Sequence, residues 1–331
     1  MKKNVVVVGG GTGSFTVLRG LKGREDMEIS AIVTMADDGG SNKVLRDQFG
    51  LLPTSGIRQC IVALASEEGL LRDLFNYRYH KGTGIAGMTF GNLFMAALSD
   101  IAGSQKKSIE ETCQLLGVRG RILPVSYEAV SLLAEYEDGR EVLGEHYIDV
   151  SNKRVAKKRI VKLRTVPESR IDKSARAAII SADLIVFGPG DLYTNTVANL
   201  VVKGMKSALK KSQGKLVFVM NLMTKLGESY DYRASDFLVD FEKYIPKDRL
   251  DLVIVNKEKM QDQGLLEKYR REGSIPVEDD LPPIWGKARV VRANLLSSAR
   301  AEKQAGDELE RSIFRHDSDK LARVLIQSLY A

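Results

Sequence analysis

Four consecutive valines, Val5–Val8, run into Gly9-Gly10-Gly11-Thr12-Gly13-Ser14, and an apolar segment starts at Phe15. Glycines let backbone amides approach a phosphate closely, and a helix that follows offers unpaired N–H groups and a partial positive charge. Thr12 and Ser14 add hydroxyl donors. Gly10, Gly11, Thr12, Gly13 and Ser14 are therefore read as a phosphate-gripping turn. No Gly-Lys-Ser/Thr follows at the spacing of a P-loop. As a dinucleotide fingerprint the stretch is imperfect, since Ser14 stands where the third glycine belongs. An acid near the end of the next strand keeps a nicotinamide cofactor as an alternative. The plainest alternative is a tight strand–helix turn.

Two more stretches have comparable chemistry. Ala36-Asp37-Asp38-Gly39-Gly40-Ser41 presents paired carboxylates, Asp37 and Asp38, able to hold a ribose or a divalent metal such as Mg2+. The same acids suit a turn or a helix N-cap. Gly188-Pro189-Gly190-Asp191-Leu192-Tyr193-Thr194-Asn195 again places glycines between an apolar strand and polar residues. Gly188 and Gly190 are read as a second amide cradle, with Asp191 as a helix cap. Asn195, Asn221 and Thr224 could offer amide and hydroxyl groups to a sugar or base, or serve turns.

The elements that must carry these loops alternate. Strands are expected over Val5–Val8, Ile29–Val33, Leu184–Phe187, Leu216–Met220 and Leu252–Val255. Helices are expected over Thr16–Leu21, Ile57–Ser66, Gly91–Ile101 and Lys320–Leu329, with a capping box at Ser108-Ile109-Glu110-Glu111 opening another. This alternation predicts an α/β fold: a Rossmann-like, mostly parallel sheet with helices on both faces. Ligands of such sheets sit beyond the carboxyl ends of the strands, where all three loops fall. About residues 121–166 the pattern turns strand-like, with Asp138-Gly139 as a hairpin signal, and predicts a small antiparallel insertion in one domain spanning 1–331. Seven basic residues within 153–164 are read as a solvated edge strand, lysines discouraging strand addition, in preference to a surface for an anionic partner.

The totals exclude several classes. The chain has 331 residues, is 44% hydrophobic and carries a formal charge of +7, which suits anionic ligands. No aromatic-basic platform accompanies that charge, so nucleic acid is not expected as a partner. No segment approaches the roughly 18 apolar residues of a membrane span, and the N-terminal apolar run ends in glycines without a cleavage site. Cys60 and Cys113 have no CxxC partner and read as reduced core thiols, so a cytoplasmic location is expected. Only His80, His146 and His316 occur, which leaves little for a Ser-His-Asp or zinc-hydrolase site.

Taken together, VVVVGGGTGSFTVLRGL, VTMADDGGS, IRQCIVALAS, FGNLFMAAL, GPGDLYTN, NLMTKLGES and RHDSDKLA resemble one family: gluconeogenesis factors and their relative, 2-phospho-L-lactate transferase. The resemblance implies a Rossmann-like core with an insertion. It also implies one of two activities. The transferase branch moves a phospholactyl group from a nucleotide-activated donor to a deazaflavin alcohol with a divalent metal. The gluconeogenesis-factor branch regulates cell shape and wall synthesis and binds UDP-sugars such as UDP-N-acetylglucosamine. Departures from the family pattern favour the second. Gly56 stands where an acid is usual, Met88 where a histidine is usual, Asp191 where a serine is usual, and Lys225-Leu226 where Gln-Pro is usual. Asn92 keeps the family asparagine and joins the expected ligand-binding set, as do Tyr269 and Arg315, which match positions of UDP-sugar recognition. No catalytic residue is expected. The expected partners are a UDP-sugar, cell-wall enzymes or regulatory proteins, and a second copy of the chain.

Overall fold

The structure is a computed structural model and describes residues 2–66, 69–149, 155–298 and 313–330. Its strands are β1 (Lys3–Gly9), β2 (Met27–Val33), β3 (Arg121–Pro124), β4 (Ser131–Tyr136), β5 (Glu141–Leu143) and β6 (Ile160–Val166). They continue as β7 (Leu184–Phe187), β8 (Lys215–Val219), β9 (Leu252–Asn256), β10 (Ile284–Trp285) and β11 (Ala288–Ala293). Eight strands form one sheet in the order β10-β11-β9-β8-β7-β1-β2-β3. Every neighbouring pair in it is parallel except β10 with β11. Strand order therefore reverses between β1 and β7, and the two glycine loops flank the crevice where an open α/β sheet binds its ligands.

β1 shows why this sheet forms. Both faces of its valines are covered: Val6 and Val8 pack into one core with Ile185, Phe187 and Phe218. Val5 and Val7 pack into the other with Val17, Leu18, Ile57, Ile61 and Leu325. β-Branched side chains buried on both faces are the signature of a parallel sheet under two helical layers. The helix Gly11–Leu21 starts inside the glycine loop, earlier than the apolar residues suggest. The helix Ser318–Tyr330 lies so close to it that a Cβ on Gly20 would overlap the Ser318 carbonyl oxygen.

The second sheet has the order β5-β4-β6 and is antiparallel, with Asp138-Gly139 at the β4–β5 hairpin. Leu132, Ala134, Tyr136, Ile160 and Leu163 bury it against the Phe187–Phe218 core. Arg121–Pro124 pairs in parallel with β2, so the antiparallel segment begins after Pro124 rather than at Arg121. β6 is an edge strand, and Lys162 and Arg164 on it are exposed. Lys153 and Arg154 of the basic run lie outside the described residues.

One helix start is misread from sequence. The helix Gln105–Leu115 is capped by Ser104, whose side chain accepts from the Lys107 amide. Ser108 lies inside it, fully buried, donating its hydroxyl to the Met95 carbonyl at 2.8 Å. The capping-box pattern there is a coincidence of residue types; packing against the neighbouring helix decided the register.

Candidate functional site

Gly11 adopts φ +63°, a left-handed conformation that favours glycine, while Gly10 before it is extended. The turn is pressed against the β7 loop. A Cβ on Gly13 would overlap the Pro189 carbonyl oxygen, and one on Gly10 would sit 2.5 Å from Asn195 Oδ1. Asn199 ties the two loops further, donating from Nδ2 to the Gly9 carbonyl at 3.1 Å and to the Asn195 carbonyl at 2.7 Å. Asn195 belongs to a π-helical turn, Leu192–Val197, a rare geometry that recurs at functional sites.

Around this junction lie buried polar atoms without a hydrogen-bond partner: Ser14 Oγ, Thr34 Oγ1, Thr54 Oγ1, Gln59 Oε1 and Asn92 Oδ1. Thr34 follows β2 and abuts Gly10; Gln59 Oε1 faces Gly11. Buried polar groups are nearly always satisfied in folded proteins, so such a concentration marks a place built to receive something. Asn92 Nδ2 donates to Ser41 Oγ and Ser55 Oγ, each at 3.1 Å. These residues stand at the starts of the helices Phe90–Ala102, Gly40–Phe49 and Ser55–Leu64. With Gly11–Leu21, several helix N-termini converge beyond β1 and β2.

Asp37 and Asp38 lie in the loop between β2 and the helix Gly40–Phe49. Asp37 accepts from the Gly39 amide at 3.0 Å and from Asn42 Nδ2 at 2.6 Å. Asp38 Oδ1 accepts from the His146 amide at 2.8 Å, and its Oδ2 faces Arg46 at 3.7 Å. Each of the four carboxylate oxygens thus has a donor or a cation beside it, as a turn requires. Burial pushes the Asp37 carboxyl up to about 6, against the Gly39 hydrogen bond and with the help of Asp38 and Asp149.

A second acidic group lies on the β7–β8 side. Asp149, Asp191 and Glu228 bring one oxygen each to within 4.8 Å of one another. Lys225 Nζ stands among them, 2.6 Å from Asp191, 3.1 Å from Glu228 and in direct contact with Asp149. Glu228 also accepts from the amides of Tyr193 and Thr194 and from the Thr194 hydroxyl. Burial raises the Glu228 carboxyl, with Lys225 opposing, and burial with Asp37 and Asp149 nearby raises Glu145 well above its ordinary value. Asp191 stands at the N-cap of the π-helical turn but caps no amide with its side chain, which takes Lys225 and Asn195 Nδ2 instead.

The family described as 2-phospho-L-lactate transferase CofD matches residues 5–296. The chain belongs to this family. A gluconeogenesis factor of Halalkalibacterium halodurans is 40% identical over 326 residues, 98% of this chain and 96% of that relative. The gluconeogenesis factor of Bacillus subtilis is 34% identical over 331 residues, 99% and 98% of the two chains. A crystal structure of a Bacillus halodurans protein superposes with TM-score 0.88 at 35% identity, covering 98% of this chain and 100% of its own.

Within the CofD frame, the departures seen in the sequence have structural reasons. Gly56 lies on the helix Ser55–Leu64 where a Cβ would come within 2.9 Å of Val33 Cγ1, so a larger residue there needs the Val33 side chain to give way. Met88 is buried in an apolar cluster with Leu45 and Ala96, a poor place for a titrating group. Asp37 is bonded within its turn, Asp38 to the His146 amide, and Lys225 stands inside the Asp149–Asp191–Glu228 group.

Other expected residues divide. Asn221 holds the backbone of Gly190, donating to its carbonyl at 2.8 Å and accepting its amide at 3.5 Å. Thr224 Oγ1 accepts from the Ile275 amide at 2.9 Å and so ties two distant segments together. Tyr269 is buried, its ring 5.5 Å from Phe314, its hydroxyl accepting from the Ile313 amide at 2.8 Å. Arg315 is half-buried on the same segment. The next residue, His316, bonds the Met220 backbone just before Asn221, so this C-terminal segment docks on the end of β8. Asp149, Glu228 and Gln59 were not named as site residues from sequence. Lys225 stood out as a departure, and Glu228 and Gln59 lie in the motifs NLMTKLGES and IRQCIVALAS; Asp149 carries no local signal.

Proposed function

We propose that this protein is a nucleotide-sugar-binding regulator, taking a UDP-sugar of the UDP-N-acetylglucosamine kind at the β1–β7 crevice. In a cell it would act in the cytoplasm on cell shape and wall synthesis during gluconeogenic growth, through cell-wall enzymes or regulatory proteins. The observation that carries the reading is the set of unpartnered buried atoms Ser14 Oγ, Thr34 Oγ1, Thr54 Oγ1, Gln59 Oε1 and Asn92 Oδ1 beside converging helix N-termini. Amides and hydroxyls of Gly10–Ser14 would receive the diphosphate, with Gly188–Gly190 beside it. Asn195 would meet the uridine or sugar from across the crevice, its Oδ1 being nearest to Gly10 and Gly11. Tyr269 and Arg315 would close the far side, the guanidinium matching a diphosphate or sugar acid geometrically. Asp37 would hold a ribose through its turn.

Binding without turnover is favoured because the positions at which the family carries an acid and a histidine are here a packed glycine and a core methionine. The test is a calorimetric and thermal-shift titration with UDP-N-acetylglucosamine, with NAD, and with a deazaflavin plus a GTP-type donor, each with and without Mg2+. A ligand bound only by the folded state at a hundredfold excess over its Kd stabilises by about 2.7 kcal/mol. Stabilisation by the UDP-sugar alone is expected. Mg2+-dependent turnover of the deazaflavin, with no response to UDP-sugars, would replace this reading with phospholactyl transfer.

A further inference from the structure

The three-carboxylate group of Asp149, Asp191 and Glu228 has the make-up of a cation cage. Its oxygens lie within 4.8 Å of one another, the spread expected around a cation with oxygen ligands at about 2.0–2.6 Å. Glu228 is fully buried, and the side chains of Asp149 and Asp191 are 15% and 34% exposed. Three such charges gathered at the end of a sheet need a counter-charge, because each unpaired buried carboxylate costs several kcal/mol. The chain supplies it: Lys225, four residues beyond Asn221 and 14% exposed at its side chain, reaches all three.

We infer that the Lys225 ammonium is a built-in substitute for a metal ion, and that Lys225 sets the metal-independence of this cage. The inference does not depend on the nucleotide-sugar reading. An ammonium supplies a single charge and up to three N–H donors directed at fixed acceptors. It offsets part of the charge of Asp149, Asp191 and Glu228 and positions them, yet it has no open coordination position with which to polarise a phosphoryl oxygen. The sequence arranges this economically. Lys225 and Glu228 sit in one turn after β8, and Asp191 precedes the π-helical turn that carries Asn195. Asp149 comes from the insertion, on the short helix Glu145–Asp149. The cage therefore fastens the insertion to the rim of the crevice, and Asp191, also bonded to Asn195 Nδ2 at 3.3 Å, links it to the asparagine facing the glycine turn.

Removing the ammonium while keeping the carboxylates should expose a divalent-cation site. The full chain, stripped of metal with chelator, is titrated with Mn2+ and followed by electron paramagnetic resonance. The wild type is expected to show no saturable site at the cage. Lys225→Met is expected to gain one site per chain, roughly tenfold tighter or more than any wild-type binding. Adding Asp191→Asn to Lys225→Met should abolish it. Should Lys225→Met fail to fold alone, Mn2+ or Ca2+ in the refolding buffer is expected to restore its circular dichroism spectrum and a cooperative melt. A Lys225→Met chain that neither binds Mn2+ nor is rescued by either ion overturns the inference. So does a wild-type Mn2+ site that Asp149→Asn or Asp191→Asn removes.

Discussion

The two sides of the β1–β7 crevice solve opposite problems. Beyond β1 and β2, Ser14, Thr34, Thr54, Gln59 and Asn92 each keep a buried polar atom without a partner. Beyond β7 and β8, Glu228 has four donors, Asp191 has two, and Asn221 holds both ends of the Gly190 peptide unit. Apart from Asn199 Oδ1 and His316 Nε2, the second side is satisfied, whereas the first is not. Stability and recognition are thus separated across a few ångströms: the saturated side holds the loop against which the unsaturated side presents its amides. Substitutions on the first should cost stability, and those on the second should cost binding.

The largest break in that contrast is expected from Glu228→Ala. It leaves the amides of Tyr193 and Thr194 and the Thr194 hydroxyl without an acceptor, while Lys225 keeps Asp149 and Asp191, and should cost about 3 kcal/mol or more in denaturant unfolding. A loss below about 1 kcal/mol would mean that the saturated side is not what holds the crevice. Next comes Gly13→Ala, whose added methyl collides with the Pro189 carbonyl oxygen; overpacking of this kind costs about 1–3 kcal/mol and should also weaken UDP-sugar binding. Thr12→Asp should act oppositely, leaving the unfolding midpoint nearly unchanged while abolishing UDP-sugar binding through repulsion of the phosphates. Unchanged affinity in that variant would remove the glycine turn from the site.

The pH dependence sharpens the comparison further. His316 is buried, and burial pushes its imidazole down to about 4, against its bond to Met220. The unfolded chain, with an ordinary histidine near 6.5, binds more protons between those values, so this group's stability is present above pH ~6.5 and lost as pH falls toward 4. Asp37 works in reverse: its folded value of about 6 lies above the unfolded one, so its neutral form favours folding at low pH and that benefit fades as pH rises to 6. The two slopes oppose each other between about pH 4 and 6. Asp37→Asn should therefore show stability rising more steeply with pH than the wild type over that window, and His316→Asn less steeply. Identical slopes in all three proteins would show that neither group is displaced as described. The smallest effect is expected from Lys162→Ala on the exposed edge of β6, within about 0.5 kcal/mol of wild type by the same unfolding assay.

The sequence alone determined the parallel sheet, because uninterrupted apolar runs such as Val5–Val8 and Leu184–Phe187 need cover on both faces whatever surrounds them. It also located the glycine turn, since a left-handed Gly11 and a side-chain-free Gly13 are local demands of a close approach. Tertiary structure decided the rest of the site. Asn221 and Asn92 look alike as polar residues near strand or helix ends, yet one closes on Gly190 and the other leaves Oδ1 unpaired. Ser108 has the surroundings of a cap but is claimed by the Met95 carbonyl of the neighbouring helix. Asp149 and Lys225 are 76 residues apart, and nothing in either neighbourhood announces the other. Hydrogen-bond satisfaction and charge pairing of this kind depend on which chain segments the fold brings together, and sequence spacing carries no record of them.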